Sequence, residues 1–422
     1  MNEPQTVAIW GLGKMGLPLA CVFADRGFTV TGIDTDESRV RAINEGENPI
    51  PQEPGMEELL TRVVAAKEFM ATTQPAPADI HIIIIPILLT DNTADFSILK
   101  DVTHKIATQL REGDIVVLES TAPPGTCESV LLPILEQSGL HRGDFGLAHC
   151  PERTMSGTAI RDITGYYPKI VGASDKKTGK ILEKVYSRIN SSGVKLMKDM
   201  KTAEAVKVFE GVYRDVNIAL ANELALYCEE MSIDVMEVIN AANSQPHSHI
   251  HDPGAGVGGH CIPVYPHFIM SEKTTLIATA RKINETMPLH AVNLVETLLH
   301  YRGIPIGKAH VLLLGISFRA GVKEERFSPF FDVRDELTRR KAKIYAYDPL
   351  YTLKETESFD VLHKKDFTDI DCVMILTEAP EFQQFDWQHI FDQGVRVIVD
   401  GRNLLQRHIM ESIGFEYTGI GT

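Results

Sequence analysis

The 422-residue sequence has no C-x-x-C pair among its six cysteines, no basic stripe, and no uninterrupted apolar run of membrane-spanning length. The scattered thiols (Cys21, Cys127, Cys150, Cys228, Cys261 and Cys372) read as reduced cytosolic cysteines, mostly small core residues, rather than a disulfide framework. The most apolar stretch, Ile80–Leu89, is broken by His81 and Pro86 and falls short of the roughly 20 residues a spanning helix needs, so no transmembrane segment is expected. Lys plus Arg number 42 against 57 Asp plus Glu, a formal charge of −15, which argues against a nucleic-acid partner. No basic stretch leads into an apolar core and cleavage site near the start, so no secretory leader is expected. Five of the 15 histidines fall between His247 and His267, but no carboxylate or thiol set stands beside them at zinc spacing, so no metal is expected.

What is present is the balance of an ordinary globular protein, 44% apolar and 23% charged, in a chain long enough for two or three domains. The two ends look alike in plan. Thr6–Trp10 reads as a strand, Gly11–Gly16 as a glycine turn, Leu17–Arg26 as a helix and Phe28–Ile33 as a second strand, with further strands at Asp79–Ile85 and Asp114–Glu119. Near the other end, strands are expected at His310–Leu314, Lys343–Tyr347, Asp371–Leu376 and Val395–Val399, with a helix over Ser328–Lys341. Strands alternating with helices indicate parallel sheets covered on both faces. The expected fold is therefore α/β: two Rossmann-like doubly wound domains joined by a long central helix and a helical middle domain. The boundaries fall at 1–198, 199–300 and 301–422. Lys201–Met231 has 3.6-residue apolar spacing and many alanines, so it reads as one helix of about 30 residues. It either buries its apolar surface in its own subunit or dimerises; we take it as the dimerisation element of a homodimer.

Four constellations carry chemistry. Gly11-Leu12-Gly13-Lys14-Met15-Gly16 follows a strand and opens a helix, the arrangement that sets a pyrophosphate on a helix N-terminus. Asp34 ends the second strand 18 residues after Gly16, where a carboxylate bonds the adenosine ribose and repels a 2′-phosphate, so NAD is expected. Gly256-Val257-Gly258-Gly259-His260-Cys261-Ile262-Pro263 puts a cysteine behind a glycine loop without bulk. A thiolate there suits oxidation of an aldehyde through a thiohemiacetal and thioester, against the alternative of a buried inert thiol. Glu204 and Lys207 share a helix face. They form either a solvated ion pair or a site where Lys207 stands beside an oxyanion or acts as a general base. Loops at strand ends (Ser120–Thr126, Cys150–Arg153, Arg326–Pro329, Asp400–Asn403) point to a polar ligand cleft.

Taken in order, the segments GLGKMG, ESTAPPGT, CPERTMSGTA, EAVK, IALANEL, GVGGHCIP, ERFSP and DGRN resemble the UDP-glucose/UDP-N-acetylmannosamine 6-dehydrogenase family over nearly the whole chain. The wording of PERT and STAPPGT is closest to the N-acetylhexosamine branch. The resemblance implies a four-electron oxidation of a nucleotide-sugar C6 alcohol (UDP-N-acetylhexosamine, or UDP- or TDP-glucose) to a uronic acid with NAD. It further implies a cytoplasmic enzyme of polysaccharide or glycoconjugate synthesis with no membrane partner. It makes Cys261 the nucleophile, Lys207 the oxyanion and proton-transfer group, Glu152 the hydrolytic base and Thr121 a neighbour of the reacting centre. Gly11, Leu12, Gly13, Lys14, Met15, Gly16, Asp34, Arg39, Ser120, Thr121 and Arg326 would touch NAD. Glu152, Arg153, Lys207, Gly258, Arg319 and Arg402 would touch the sugar nucleotide.

The chain also departs from the family pattern. Gly211 stands where the family usually has an asparagine, four residues after Lys207, and Tyr265 where it has an aspartate, four after Cys261. Ile85-Pro86-Ile87-Leu88 replaces a segment with a common threonine, and His247 stands where an arginine often reaches a partner subunit. Two other readings remain beside the leading one: a two-electron dehydrogenase, and a non-catalytic protein that binds a nucleotide sugar.

Overall fold

The computed structural model describes residues 4–422. Its contacts divide the chain into two units. One runs up to Glu210 and includes His267–Ile269; the other holds Gly211–Pro266 and Met270–Thr422.

The first unit is built on eight strands: β1 (Thr6–Trp10), β2 (Thr29–Ile33), β3 (Phe69–Thr72), β4 (Ile80–Ile83), β5 (Ile115–Leu118), β6 (Gly146–His149), β7 (Lys169–Ala173) and β8 (Val194–Leu196). They lie in the order β8-β7-β6-β5-β4-β1-β2-β3. All neighbours are parallel except β6 and β7, which meet antiparallel at Ala148↔Ala173. The runs of Val and Ile read from sequence are buried on both faces: Val7 and Ile9 enter one apolar core, Ala8 and Trp10 the other. Chain order reverses at β1, flanked by β2 and β4, which opens a crevice at the carboxyl ends of these strands.

Helix α1 (Gly16–Asp25) starts in that crevice and is stopped by Gly27 in a left-handed conformation, φ 80°. Two glycines are fixed here by space, and Gly11 also by its φ. A Cβ on Gly16 would stand 1.9 Å from the carbonyl oxygen of Gly11, and one on Gly11, at φ +101°, would stand 2.4 Å from that of Ile84.

The second unit repeats the strand order with β9 (His310–Leu314), β10 (Lys343–Tyr347), β11 (Leu362–His363), β12 (Cys372–Ile375), β13 (Val397–Asp400) and β14 (Glu416–Gly419), arranged β11-β10-β9-β12-β13-β14 and all parallel. The longer helices that follow the first sheet are α2 (Met200–Met231), α3 (Val235–Asn243), α4 (Thr275–Tyr301) and α5 (Pro329–Arg339). Helix α2 has 32 residues, within one residue of the sequence expectation, and passes from the first unit into the second. The doubly wound α/β architecture with a helical middle is as expected. Among the described residues no helix is long and apolar enough to cross a membrane.

Candidate active site

In the first unit the β1–α1 turn is built to receive a dinucleotide. Nothing lies within 4 Å of a Cβ placed on Gly13, so the backbone there is open to close approach. No side chain caps the N-terminus of α1 at Met15; Leu17 N–H turns back to the Gly13 carbonyl at 3.1 Å and Pro18 has no N–H, so the N–H of Gly16 is the first-turn donor left to a ligand. Asp34, directly after β2, accepts from Leu12 N–H at 2.8 Å and from Asp36 N–H at 3.0 Å. Arg39 lies 3.0 Å from Asp34 and 3.7 Å from Asp36, so its charge is matched locally by two carboxylates. A 2′-phosphate would meet those carboxylates, which is why the site fits NAD.

The loop after β5 carries Ser120 and Thr121, and the Ser120 hydroxyl accepts from Ile85 N–H at 2.9 Å. Its continuation is pinned from α2. Buried Glu204 accepts from the N–H groups of Gly125 and Cys127 (2.8 Å to Cys127), where the chain turns helical and its N-terminal dipole favours a negative charge. Glu204 therefore makes no solvated ion pair with Lys207. Burial pushes its carboxyl above the ordinary range. Cys127, His149 and Glu204 bring their ligand-type atoms within 4.8 Å of one another, but this carboxylate is already engaged by the two N–H groups.

Lys207 instead reaches the loop after β6, where its ammonium donates to Glu152 at 3.1 Å; the two residues are 9% and 7% exposed. The other Glu152 oxygen accepts from Thr154 N–H. Arg153 pairs with Glu210 at 2.6 Å and lies over the Tyr167 ring, whose hydroxyl donates to the Arg153 carbonyl at 2.6 Å. Thr154 contacts Met15 Sδ at 2.9 Å, joining this loop to the phosphate turn. The residues up to Thr121 that are expected to touch the cofactor and the group Glu152, Arg153 and Lys207 are thus held in one unit.

The second unit gathers the others. Gly258 and Gly259 lie on Phe318: Cβ atoms on them would meet its side chain at 2.5 and 2.9 Å. Gly259 N–H donates to the Arg326 carbonyl at 2.9 Å, and the Arg319 guanidinium lies 5.9 Å from the Phe318 ring centroid. Arg402 pairs with Glu378 at 3.1 Å and stands against Gly254. His260 lies 3.1 Å from Glu324. Cys261 is half-buried, whereas the other five cysteines are buried.

Sequence reasoning missed the support for this loop. Asn222, inside IALANEL, accepts from Gly254 N–H at 2.9 Å and donates to Asn284 at 2.9 Å, and Asn284 donates to Asp215 at 2.8 Å. Buried polar residues in the middle of two helices, α2 and α4, were the available signal. The β9 turn repeats the β1 turn: Asp348, after β10, accepts from Ile316 N–H at 2.8 Å and Ser317 N–H at 3.0 Å.

Three domain descriptions match the chain: the NAD binding domain of the UDP-glucose/GDP-mannose dehydrogenase family over residues 5–190, its central domain over 201–287 and its UDP binding domain over 312–407. The chain is 34% identical over 423 residues to a UDP-N-acetyl-D-mannosamine dehydrogenase of Pyrococcus horikoshii, covering 98% of this chain and 99% of that one. It is 32% identical to an NDP-N-acetyl-D-galactosaminuronic acid dehydrogenase of Ralstonia nicotianae, covering 95% and 96%. The solved UDP-D-ManNAc dehydrogenase of Pyrococcus horikoshii superposes with a TM-score of 0.91 at 32% identity, covering 99% of each chain.

Proposed function

Since the chain belongs to the UDP-glucose/GDP-mannose dehydrogenase family, we propose that it oxidises the C6 alcohol of a UDP-N-acetylhexosamine to the uronic acid in two successive steps. It is an NAD-dependent nucleotide-sugar dehydrogenase. The observation that carries the four-electron reading is that Cys261, alone among the six cysteines, is not buried and sits in a glycine-rich loop. NAD, when bound, accepts a hydride in each oxidation.

Cys261 adds its sulfur to the C6 aldehyde, and the thioester formed after the second oxidation is opened by water. Lys207 stands by the oxygen where charge develops, Glu152 takes the proton of the attacking water, and Thr121 neighbours the reacting carbon. The buried Glu152–Lys207 contact supports these roles, because neither group is spent on solvent. Gly11 to Gly16, Asp34, Arg39, Ser120 and Arg326 serve the cofactor. Arg153, Gly258, Arg319 and Arg402 serve the substrate. The division 1–198, 199–300 and 301–422 goes with this reading and is supported by where the three family domains match. A cytoplasmic location suits six free cysteines. The N-acetylhexosamine substrate is supported by the names of the relatives.

With excess NAD and UDP-N-acetylmannosamine, two NADH are expected per sugar consumed. One would mean that oxidation stops at the aldehyde, and none with the sugar bound would make the protein non-catalytic.

A homodimer through α2 belongs to the same proposal. Phe209, Tyr213, Leu220, Tyr227 and Met231 are 45–58% exposed. At 3.6 residues per turn they fall within roughly 40° of one helix face. A second copy is the natural cover for such a stripe. Leu220→Glu with Tyr227→Glu is expected to halve the mass measured by light scattering. A mass already equal to one chain in the unaltered protein would reject the dimer.

A further inference from the structure

Gly211 and Tyr265, far apart in sequence, meet in the second unit. A Cβ on Gly211 would lie 2.3 Å from Cδ2 of the Tyr265 ring and 3.2 Å from its Cγ. No side chain at position 211 is compatible with the ring where it stands. Tyr265 is 5% exposed, and its N–H donates to the Cys261 carbonyl at 3.0 Å. Its hydroxyl donates to the Cys261 sulfur at 3.1 Å. The ring is therefore seated on the bare helix backbone at one edge and delivers its polar end to the thiol. On the same loop His260 faces Glu324 at 3.1 Å.

We propose that Tyr265 is a catalytic residue of this enzyme, its hydroxyl setting the reactivity of the Cys261 sulfur, and that Gly211 is the residue whose missing side chain admits it. This rests on Cys261 being the nucleophile, as argued in the preceding subsection. The thiolate is the attacking form. A donor to sulfur holds the thiolate more strongly than the thiol, because hydrogen bonds to an ionised acceptor are the stronger ones. When the sulfur electron pair forms the bond to the aldehyde carbon, the carbonyl π pair moves to oxygen, two bonds from the sulfur and within the same hydroxyl's reach. Loss of a hydride from that carbon, which a bound NAD would accept, would give the thioester. Water adds, giving up its proton to the base, and the sulfur departs with the S–C pair as a thiolate that Tyr265 again receives.

Because the other five cysteines are buried, alkylation of the native enzyme by iodoacetamide, located by mass, reads Cys261. Tyr265→Phe keeps the ring and removes only the hydroxyl. Its alkylation at neutral pH is expected to slow about tenfold. Oxidation of the C6 aldehyde, supplied directly, should lose a similar factor in kcat with KM unchanged. Gly211→Ala, which pushes the ring aside, is expected to slow alkylation likewise but to add nothing in the Tyr265→Phe background. An unchanged alkylation curve and unchanged aldehyde kcat in Tyr265→Phe would overturn the role of Tyr265 and leave Cys261 untouched. A Cys261→Ala enzyme still yielding two NADH per sugar would overturn the underlying reading instead.

Discussion

Lys207→Met is expected to lower turnover by roughly 10²–10³, the usual cost of removing one group that stabilises a developing oxyanion. It should also destabilise the first unit by about 3 kcal/mol, because removing one partner of a buried pair leaves an uncompensated charge. The reason lies at Glu152. One of its oxygens accepts from Thr154 N–H and the other from the Lys207 ammonium at 3.1 Å, and the residue is 7% exposed. Methionine keeps the unbranched stem, so packing is held while charge is lost. Stability and catalysis separate in the double variant: Glu152→Gln with Lys207→Met removes both charges and should regain most of the stability, yet regain none of the turnover. The measurements are thermal unfolding and kcat for the four proteins of the cycle. If Lys207→Met unfolds earlier but turns over at the original rate, the pair is scaffold and the oxyanion role is wrong.

The second large effect is on stability against pH. His81, the residue that interrupts the apolar run of β4, is fully buried, and burial, followed by Arg111, pushes its imidazole down to about 4. His149 is likewise buried, and burial, followed by Lys169 and Lys207, pushes it down to about 3. Neither ring nitrogen of His149 has a hydrogen-bond partner among the described residues. An imidazole that resists protonation when folded binds fewer protons than the unfolded chain between its two pKa values, so stability rises with pH across that window. Its upper edge is the ordinary value of 6.5 and its lower edge about 4 for His81. Acidification to about pH 5 should cost about 2 kcal/mol for each histidine.

Asp215, pushed up to about 6 by burial, has the opposite sign: below that value it takes up a proton more readily folded than unfolded and recovers stability. Difference curves isolate the histidines from it. His81→Leu and His149→Leu should each lose about 2 kcal/mol less than the unaltered protein between neutrality and about pH 5, whatever their stability at neutrality. Denaturation curves that shift in parallel for all three proteins would refute the assignment.

What the sequence made legible was local. Strands Thr6–Trp10, His310–Leu314 and Lys343–Tyr347 stand where the apolar runs placed them, and α2 differs by one residue at its start. Glycine turns, alternating cores and helix periodicity all act over a few residues. The site was legible as a set of residues, because glycine loops and strand-end polar groups are written locally, but its pairings were not. Glu204 shares a helix face with Lys207 in any wheel diagram, yet its partners are the N–H groups of Gly125 and Cys127, and those of Lys207 include Glu152. The antiparallel junction of β6 and β7 was equally hidden, since a strand buried on both faces reads the same in either direction. Gly211 and Tyr265 looked like two separate losses, and only the folded chain makes them a single substitution in space.

The acids that follow the second strand of each sheet have a further consequence. Asp34 and Asp348 both clamp the glycine turn of the neighbouring strand through backbone N–H groups. In the first unit, on the proposed reading, the same carboxylate would also screen out a 2′-phosphate, so cofactor choice and turn architecture would share one side chain. Redesign toward NADP by replacing Asp34 with a side chain that carries no acceptor would withdraw the partner of Leu12 N–H as well, and the binding loop would loosen before it changed preference. Cofactor selectivity would then be anchored in the scaffold, and an evolutionary or engineered route around it would have to replace the latch before it could replace the filter.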